Sequence, residues 1–443
     1  MKKAALHNLG CKVNGYETEA MQRLLEEDGY EIVPFHEKAD VYVINTCTVT
    51  NMADRKSRQM LHRARKLNPD AVIVAAGCYV QAQEAKGQEI EGIDILIGNN
   101  QKKNLLKLLK AHLDKQEVKD VIDINHTDEF EELYIDSAGE HTRAYIKVQD
   151  GCNQFCTYCI IPHVRGRIRS RNPEEIVKEV KRLAEAGYKE VILTGIHVSS
   201  YGMDFIDSKM NFDKWVEMDG EKKDLLYLIQ RIHEVEGIKR IRLSSLEPRI
   251  ITETFAKGIA ALPKICPHFH LSMQSGCDET LKRMNRHYTS AEYYEKCMIL
   301  RKYFEHPAIT TDVIVGFPGE TAEEFETTRK FIDKVNFYET HVFKYSKRSG
   351  TIAADMPDQV DEQVKSERSA VLLQMSKQKK RAFEEKMIGQ EVEVLMEEPV
   401  EKDGKIYQTG HTKEYVKIAI ESDKSLENQI INIVIQNDSQ FMD

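Results

Sequence analysis

Asp150-Gly151-Cys152-Asn153-Gln154-Phe155-Cys156-Thr157-Tyr158-Cys159 sets three cysteines in a CxxxCxxC array. Cysteines this close in the chain can turn their thiolates onto one small metal centre. A closed structural zinc site takes four protein ligands, and an iron–sulfur cube has four irons that want four cysteines. With only three thiolates in local reach, one iron of a cube is left open. An open redox-active iron is where a substrate or cofactor can bind and receive an electron. Two other readings use the same residues: a zinc knot completed by a distant ligand, and core cysteines with no shared role.

Around this array the sequence alternates strand and helix signals. Ala144–Val148 reads as a strand that leads directly into Cys152, and strand signals recur at Val191–Thr194, Ile241–Leu243, Phe269–Leu271, Ile309–Val315 and His341–Tyr345. Between the first two, Asn172 as N-cap, Pro173 and Glu174-Glu175 open a helix that Gly187 closes. These strands are too few for an eight-stranded barrel, so a partial (β/α)6 barrel is expected over residues 136–375. Met203 to Lys223, with Trp215, interrupts the rhythm as an inserted loop.

Upstream, Val41–Ile44, Ala71–Ala76 and Ile93–Ile97 are apolar runs of the kind buried on both faces of a sheet. Tyr16, Ala20, Met21, Leu24 and Leu25 share one helical face, and Met52 to Leu67 forms a second helix. The order predicts an α/β domain with a parallel sheet over residues 1–135, followed by an acidic interdomain segment from Asp120 to Glu140. Cys11, Cys47 and Cys78 each follow a strand, at the edge where open α/β sheets gather ligands. They can therefore converge on a metal, or be scattered buried thiols. Cys266, His268 and His270 alternate along a strand and read as packing, as does Cys297.

The chain has 443 residues, 41% hydrophobic and 30% charged, with net charge −9 and nine cysteines. This suits a soluble protein of two or three domains. No apolar run approaches the ~20 residues of a membrane span, and Met1–Asn8 shows no secretory h-region. Expected, then, are no membrane partner and a reducing, cytoplasmic setting in which metal ligation outranks disulfides.

CxxxCxxC with Tyr158 before its last cysteine resembles the signature of the radical S-adenosylmethionine (SAM) enzymes. Gly10-Cys11-Lys12-Val13-Asn14, Asn45-Thr46-Cys47-Thr48-Val49-Thr50 and Ala76-Gly77-Cys78 resemble the N-terminal domain of the methylthiotransferases within that group. Gly10–Asn14 followed by Tyr16-Glu17-Thr18-Glu19 is similar to the branch acting on threonylcarbamoyladenosine in tRNA, although Gly15 replaces the glutamine associated with that branch. The resemblance implies two 4Fe–4S clusters. One, on Cys152, Cys156 and Cys159, would have an open iron that chelates SAM and delivers the electron that cleaves it; the other, on Cys11, Cys47 and Cys78, would carry the sulfur to be inserted. It implies conversion of N6-threonylcarbamoyladenosine at position 37 to its 2-methylthio form, a tRNA anticodon stem-loop as partner, and a reducing electron donor. Isopentenyladenosine-37 tRNA or a ribosomal protein are alternative targets, and a non-catalytic iron–sulfur sensor that binds RNA is an alternative of another class.

Strand ends in the barrel also resemble the family: Leu193-Thr194-Gly195, Ser244–Pro248, Gln274-Ser275-Gly276 and Thr311–Glu320. On these grounds Tyr158, Gly195, Ser244, Glu247, Gln274 and Asp312 are the candidate SAM contacts, while His197, Ser272, Cys277 and His287 are given no catalytic role. Arg165, Arg167, Arg169 and Arg171, directly after the array, are expected to meet phosphate or the SAM carboxylate. The basic stretch from Arg55 to Lys66 reads mainly as a solvated helix face.

Residues 376–443 carry strand-like runs at Val392–Leu395, Val416–Ile420 and Ile430–Ile435 with a turn at Asp403-Gly404, which suggests a small β-barrel resembling the TRAM RNA-binding domain. Arg381–Asp443 nevertheless holds seven basic and fourteen acidic residues. An RNA surface there would have to be local, around His411, Lys413, Tyr415 and Lys417.

Overall fold

Val41–Thr46 is buried at every position, as a strand covered by helices on both faces must be. In the computed structural model, which describes residues 2–116, 118–135 and 142–442, this strand is the third of a six-stranded parallel sheet. Its members are β1 (Lys3–Asn8), β2 (Glu31–Ile32), β3 (Val41–Thr46), β4 (Val72–Gly77), β5 (Ile95–Ile97) and β6 (Lys119–Asp120), in the order β2-β1-β3-β4-β5-β6. The strand period of two sorts its residues. Ala4, Val43 and Val74 face one core with Leu105 and Leu109 of a helix, whereas Ala5, Tyr42 and Ile73 face another with Leu61 and Ala64.

Helix α1 (Lys12–Glu27) departs from the single face expected of it. Met21 and Leu25 pack into the N-terminal core, but Tyr16 and Ala20 belong to the core of the central domain, and Leu24 is only half-buried. The helix is wedged between two layers, so both sides carry apolar residues. The acidic stretch after β6 is likewise no loose linker: Leu133 and Ile135 enter the central core, and the Tyr16 hydroxyl donates to Leu133 O at 2.5 Å. The boundary expected after residue 135, and residues 136–140 of that stretch, lie outside the described residues.

The central strands are β7 (Arg143–Asp150), β8 (Arg169–Ser170), β9 (Glu190–Gly195), β10 (Arg240–Leu243), β11 (His268–His270), β12 (Ala308–Val315) and β13 (Glu339–Lys344). They form ladders β10-β9-β7-β8 and β11-β12-β13, joined by parallel bridges Ile241–Ile265 and Leu246–Leu271. All pair in parallel except the two-residue β8, which runs antiparallel on the edge of β7. This is the expected partial barrel. The inserted stretch is not a loose loop, because Phe212 and Trp215 are buried in the barrel core.

Helix Glu362–Glu385 runs unbroken through the boundary expected at 375/376, and Leu372 within it packs into the central core. The C-terminal sheet therefore begins later, with β14 (Glu391–Lys402), β15 (Lys405–Thr412), β16 (Lys417–Glu421) and β17 (Ile430–Val434), in antiparallel order β16-β15-β14-β17. Asp403 and Gly404 both have positive φ (52° and 73°), the turn geometry that suits a two-residue hairpin. Strand β15 lies outside the strand-like runs of the sequence, as its alternation of Gln408, Gly410 and Thr412 lacks apolar residues. The module is docked on the barrel: Ala308 and Tyr338 share its core, and Arg240 donates to Glu393 and His411 O.

The N-terminal and central layers are joined by a buried ionic cluster. Glu17 of α1 meets Arg165 at 2.9 Å, Lys147 at 2.8 Å and Lys102 at 3.0 Å, all fully buried, and Lys147 also meets Asp150 at 2.7 Å. Burial alone would raise the Glu17 carboxyl, but Arg165, Lys102 and Lys147 hold it well below the usual carboxylate range. Removing one partner of such a cluster leaves its neighbours as uncompensated charges. Arg165→Met is therefore expected to destabilise the protein by about 3–5 kcal/mol, read from the midpoint of urea unfolding. A loss below about 1 kcal/mol would show that water screens the cluster.

Candidate metal centres and cofactor cleft

The loop after β7 holds Cys152, Cys156 and Cys159 by contacts from the opposite side of the barrel. Thr157 N donates to Met284 O at 3.0 Å, Asn285 Nδ2 to Phe155 O at 3.0 Å, and Arg249 Nη2 to Gln154 Oε1 at 2.9 Å. Arg286 Nη1 reaches the Cys156 sulfur at 3.4 Å. Gly151 adopts φ +71°, and a Cβ there would lie 1.8 Å from Arg167 O, so only glycine lets the loop turn back on itself. Burial, with Cys156 beside it, pushes the Cys159 thiol up to about 12. Burial also raises Cys152, with Cys156 and Cys159 adding to the effect.

Adjacency of β1, β3 and β4 in the sheet brings the other three cysteines together. Cys11 is the N-cap of α1, Cys47 follows Thr46 at the end of β3, and Cys78 opens α3 (Cys78–Ala85) after β4. Burial, with Cys78 and Cys11 adding to it, pushes the Cys47 thiol up to about 11. Gly10 has φ +107°, and a Cβ on it would stand 2.9 Å from the Cys47 sulfur. The glycine thus keeps clear the space between the cysteine loops. All nine cysteines are free thiols. Among the described residues no three His, Cys, Asp or Glu side chains are drawn in tightly enough to hold a single ion. The two thiol triads are separate, and each has a glycine-cleared loop beside it.

The triads face one seam. Cys78 packs with Ala82 against Ile160 and Val164, which directly follow Cys159. Asn99 Nδ2 donates both to the Cys78 sulfur at 3.4 Å and to Val164 O at 2.7 Å. Across the seam, Arg348 pairs with Asp54 and Thr48 beside Cys47.

The candidate SAM contacts lie along the strand-end edge of the barrel with distinct surroundings. Tyr158 packs edge-on to Phe317 at 6.3 Å. Gly195 is needed for close packing, since a Cβ would meet Gln149 O at 2.9 Å. Ser244 is buried, and its hydroxyl has no hydrogen-bond partner among the described residues. Glu247 is occupied by Arg249 at 2.7 Å. Gln274 adopts φ +70°, uncommon for a non-glycine residue, while its N–H donates to Asp312 O at 2.8 Å. The Asp312 carboxylate stands 3.1 Å from His270 Nε2. Ser244 and Asp312 share the wall of one lumen cavity.

Two expectations are corrected. Arg165, Arg169 and Arg171 are buried and do not present themselves to phosphate. Arg165 serves Glu17, Asp150 and Asn14, Arg169 donates to Arg165 O, and Arg171 pairs with Glu179 and Glu132. Arg165 ends a short helix and Arg169 lies in β8, and Arg165 and Arg171 meet the buried acids Glu17, Asp150 and Glu179. Nor do His411 and Tyr415 form an outward RNA surface. Tyr415 stacks between His411 (4.5 Å) and His268 (5.0 Å), facing the barrel. Residues the sequence left unremarked, Asn99, Arg249, Asn285 and Arg286, orient the cysteine loops. Their signal was absent because single polar residues far apart in the chain carry no spacing pattern.

Two family models match the chain: the "Radical SAM superfamily" over residues 146–332, and "Uncharacterized protein family UPF0004" over residues 3–98. The Threonylcarbamoyladenosine tRNA methylthiotransferase MtaB of Bacillus subtilis is 42% identical over 451 residues, covering 100% of this chain and 97% of that relative. Its namesake in Aquifex aeolicus is 39% identical, covering 89% and 92%. The tRNA-2-methylthio-N(6)-dimethylallyladenosine synthase of Thermoanaerobacter pseudethanolicus is 36% identical, covering 97% and 89%. Among solved structures, the radical S-adenosylmethionine methyltransferase TsrM from Kitasatospora setae aligns with a TM-score of 0.55 at 15% identity, over 77% of this chain and 73% of that one, a likeness of fold alone.

His197 lies behind the cysteine loop, with Nδ1 2.5 Å from Ser200 Oγ. Burial, then the charges of Arg286 and Arg249, push its imidazole down to about 3. It is expected to stay neutral from pH 8 to pH 4, read from its ring carbon shifts by NMR in selectively labelled protein. Protonation near pH 6.5 would show that water reaches this part of the cleft.

Proposed function

The chain belongs to the tRNA methylthiotransferases of the radical SAM superfamily, and from that premise we propose that it converts N6-threonylcarbamoyladenosine at position 37 of tRNA to the 2-methylthio form. The observation that carries the choice of substrate is the 42% identity, across the whole chain, to a relative named for threonylcarbamoyladenosine. Relatives named for dimethylallyladenosine stand at 36% and supply the alternative substrate.

In this reading Cys152, Cys156 and Cys159 hold one 4Fe–4S cluster, and Cys11, Cys47 and Cys78 a second. Bound there with SAM, they supply one-electron cleavage chemistry from the first site and a sulfur donor at the second. The chain's own residues position and shield that chemistry. Arg286 and Asn285 fix the first cysteine loop, Asn99 spans from the second triad to the first loop, and the ionic cluster at Glu17 locks the two layers around the seam. A reactive carbon radical must be kept from water and stray hydrogen donors, and a packed seam of this kind serves that end. Tyr158, Gly195, Glu247 and Gln274 line the region assigned to SAM, and Ser244 and Asp312 line the lumen cavity beside it. Residues 1–135 are assigned the second cluster, 136–375 radical initiation, and the C-terminal sheet a TRAM-like role in holding the anticodon stem-loop. No helix among the described residues is long and apolar enough to cross a membrane. A cytoplasmic location and a cellular electron donor complete the proposal.

Nucleoside mass spectrometry of tRNA from a deletion strain tests the substrate. Loss of 2-methylthio-threonylcarbamoyladenosine with accumulation of its precursor is expected, and an unchanged level in a strain lacking any other such enzyme would refute it. Cys47→Ala is expected to halve the bound iron and abolish sulfur insertion while SAM cleavage to 5′-deoxyadenosine persists. Cys152→Ala is expected to abolish both. Sulfur insertion by Cys47→Ala would remove the case for a second cluster.

A further inference from the structure

A cavity of about 230 Å3 opens in the barrel lumen where the three parts of the chain meet. Lys12 comes from the first turn of α1, Arg242, Ser244, His268 and His270 from the barrel, and Tyr415 from the C-terminal module. The volume lies below the ~300 Å3 of pockets that enclose whole drug-sized ligands. It suits a short substituent carried in on a larger molecule.

The wall is rich in groups that want an anion or an acceptor. Lys12 has no ion pair among the described residues, and its ammonium lies 5.8 Å from the Tyr145 ring centroid. Arg242 and Arg143, both of its own sign, act on it. Arg242 is already committed, to Glu190 at 2.8 Å and to Lys413 O at 2.9 Å, and Arg143 pairs with Glu397 at 3.1 Å. Asp312 and Glu339 also line the wall; the Asp312 carboxylate stands 3.1 Å from His270 Nε2, which makes no hydrogen bond among the described residues. Ser244 Oγ and His268 Nδ1 have no hydrogen-bond partner among the described residues. The Lys12 ammonium and three polar atoms, Ser244 Oγ, His268 Nδ1 and His270 Nε2, are thus left to be answered from outside the chain.

Position ties this cavity to the reaction. Lys12 directly follows Cys11. In the run Lys12-Val13-Asn14, Val13 is buried in packing. Asn14 holds the turn, donating to Leu9 O at 2.7 Å and Thr46 O at 3.0 Å while its carbonyl accepts from Arg165. Lys12 is the member that reaches the lumen.

Resting on the substrate reading above, we propose that this cavity receives the N6 substituent of the target adenosine, with Lys12 pairing its carboxylate and Ser244 and His268 bonding its polar atoms. The geometry selects for threonylcarbamoyl over dimethylallyl groups. An apolar chain would leave the three unpartnered polar atoms of the wall unanswered and bring nothing to pair the Lys12 ammonium, and sites built for hydrogen bonding reject analogues that cannot supply it.

The test uses full-length protein with both clusters reconstituted and three anticodon stem-loop RNAs, bearing threonylcarbamoyladenosine, its carboxyl methyl ester, or dimethylallyladenosine at position 37. Esterification removes the charge without touching the protein, and is expected to raise KM about tenfold or more. Lys12→Met is expected to raise KM for the free acid by a similar factor and to change KM for the ester little. Equal KM for acid and ester in the parent protein, or equal losses on both RNAs in Lys12→Met, would overturn the pocket assignment while conversion of the acid still upheld the substrate reading. Methylthiolation of the dimethylallyl RNA alone would instead overturn the substrate reading.

Discussion

Glu17 sits fully buried in a seam, one carboxylate facing Arg165, Lys147 and Lys102 from three other parts of the chain. Removing charges from water costs several kcal/mol per ion, and mutual attraction repays it only with good geometry. Such a cluster adds little net stability over apolar packing. What it adds here is register, because the charges balance only when α1 lies at one height against β7. That register sets Cys11, at the N-terminus of α1, relative to Cys152, two residues beyond Asp150. The relative placement of both thiol triads therefore depends on it.

The same seam explains the arginines after the cysteine array. A run of alternating cations next to a reactive site invites a reading as an anion-binding strip, yet Arg165 and Arg171 are fully engaged with buried acids. The cations left available lie elsewhere, on Lys12 inside the lumen and on the exposed α2 (Asn51–Leu67), whose Arg55, Lys56 and Arg58 face solvent. Near the cysteines, positive charge is thus divided between structural clamps and exposed or lumen-facing groups, within a chain of overall charge −9. The C-terminal module follows suit. Its Tyr415, held at φ +71°, turns inward to close the floor of the lumen, not outward to solvent.

Much of the architecture was legible in advance. The parallel N-terminal sheet, the central strands and the strand-end position of all six cysteines follow from apolar runs and their spacing, which are local properties. Less legible were α1, whose five apolar positions were read as one face but serve two cores, and β15, whose Gln408, Gly410 and Thr412 give no apolar alternation. Helix Glu362–Glu385 hid the start of the last module, since one continuous helix can belong to one domain while leading into the next.

By itself the sequence determined which residues can bind metal and on which edge of each sheet they lie. A thiol is a ligand wherever it sits, and strand order follows from hydrophobic period and short connections. Only the tertiary structure decided which charges are spent and which are free. Arg165 and Lys12 are both cations close to cysteines in the chain. One is paired by a helix from the opposite domain, and the other has no ion pair among the described residues and lines the lumen. A charge's role depends on what surrounds it within a few ångströms, and those neighbours come from residues far apart in the chain.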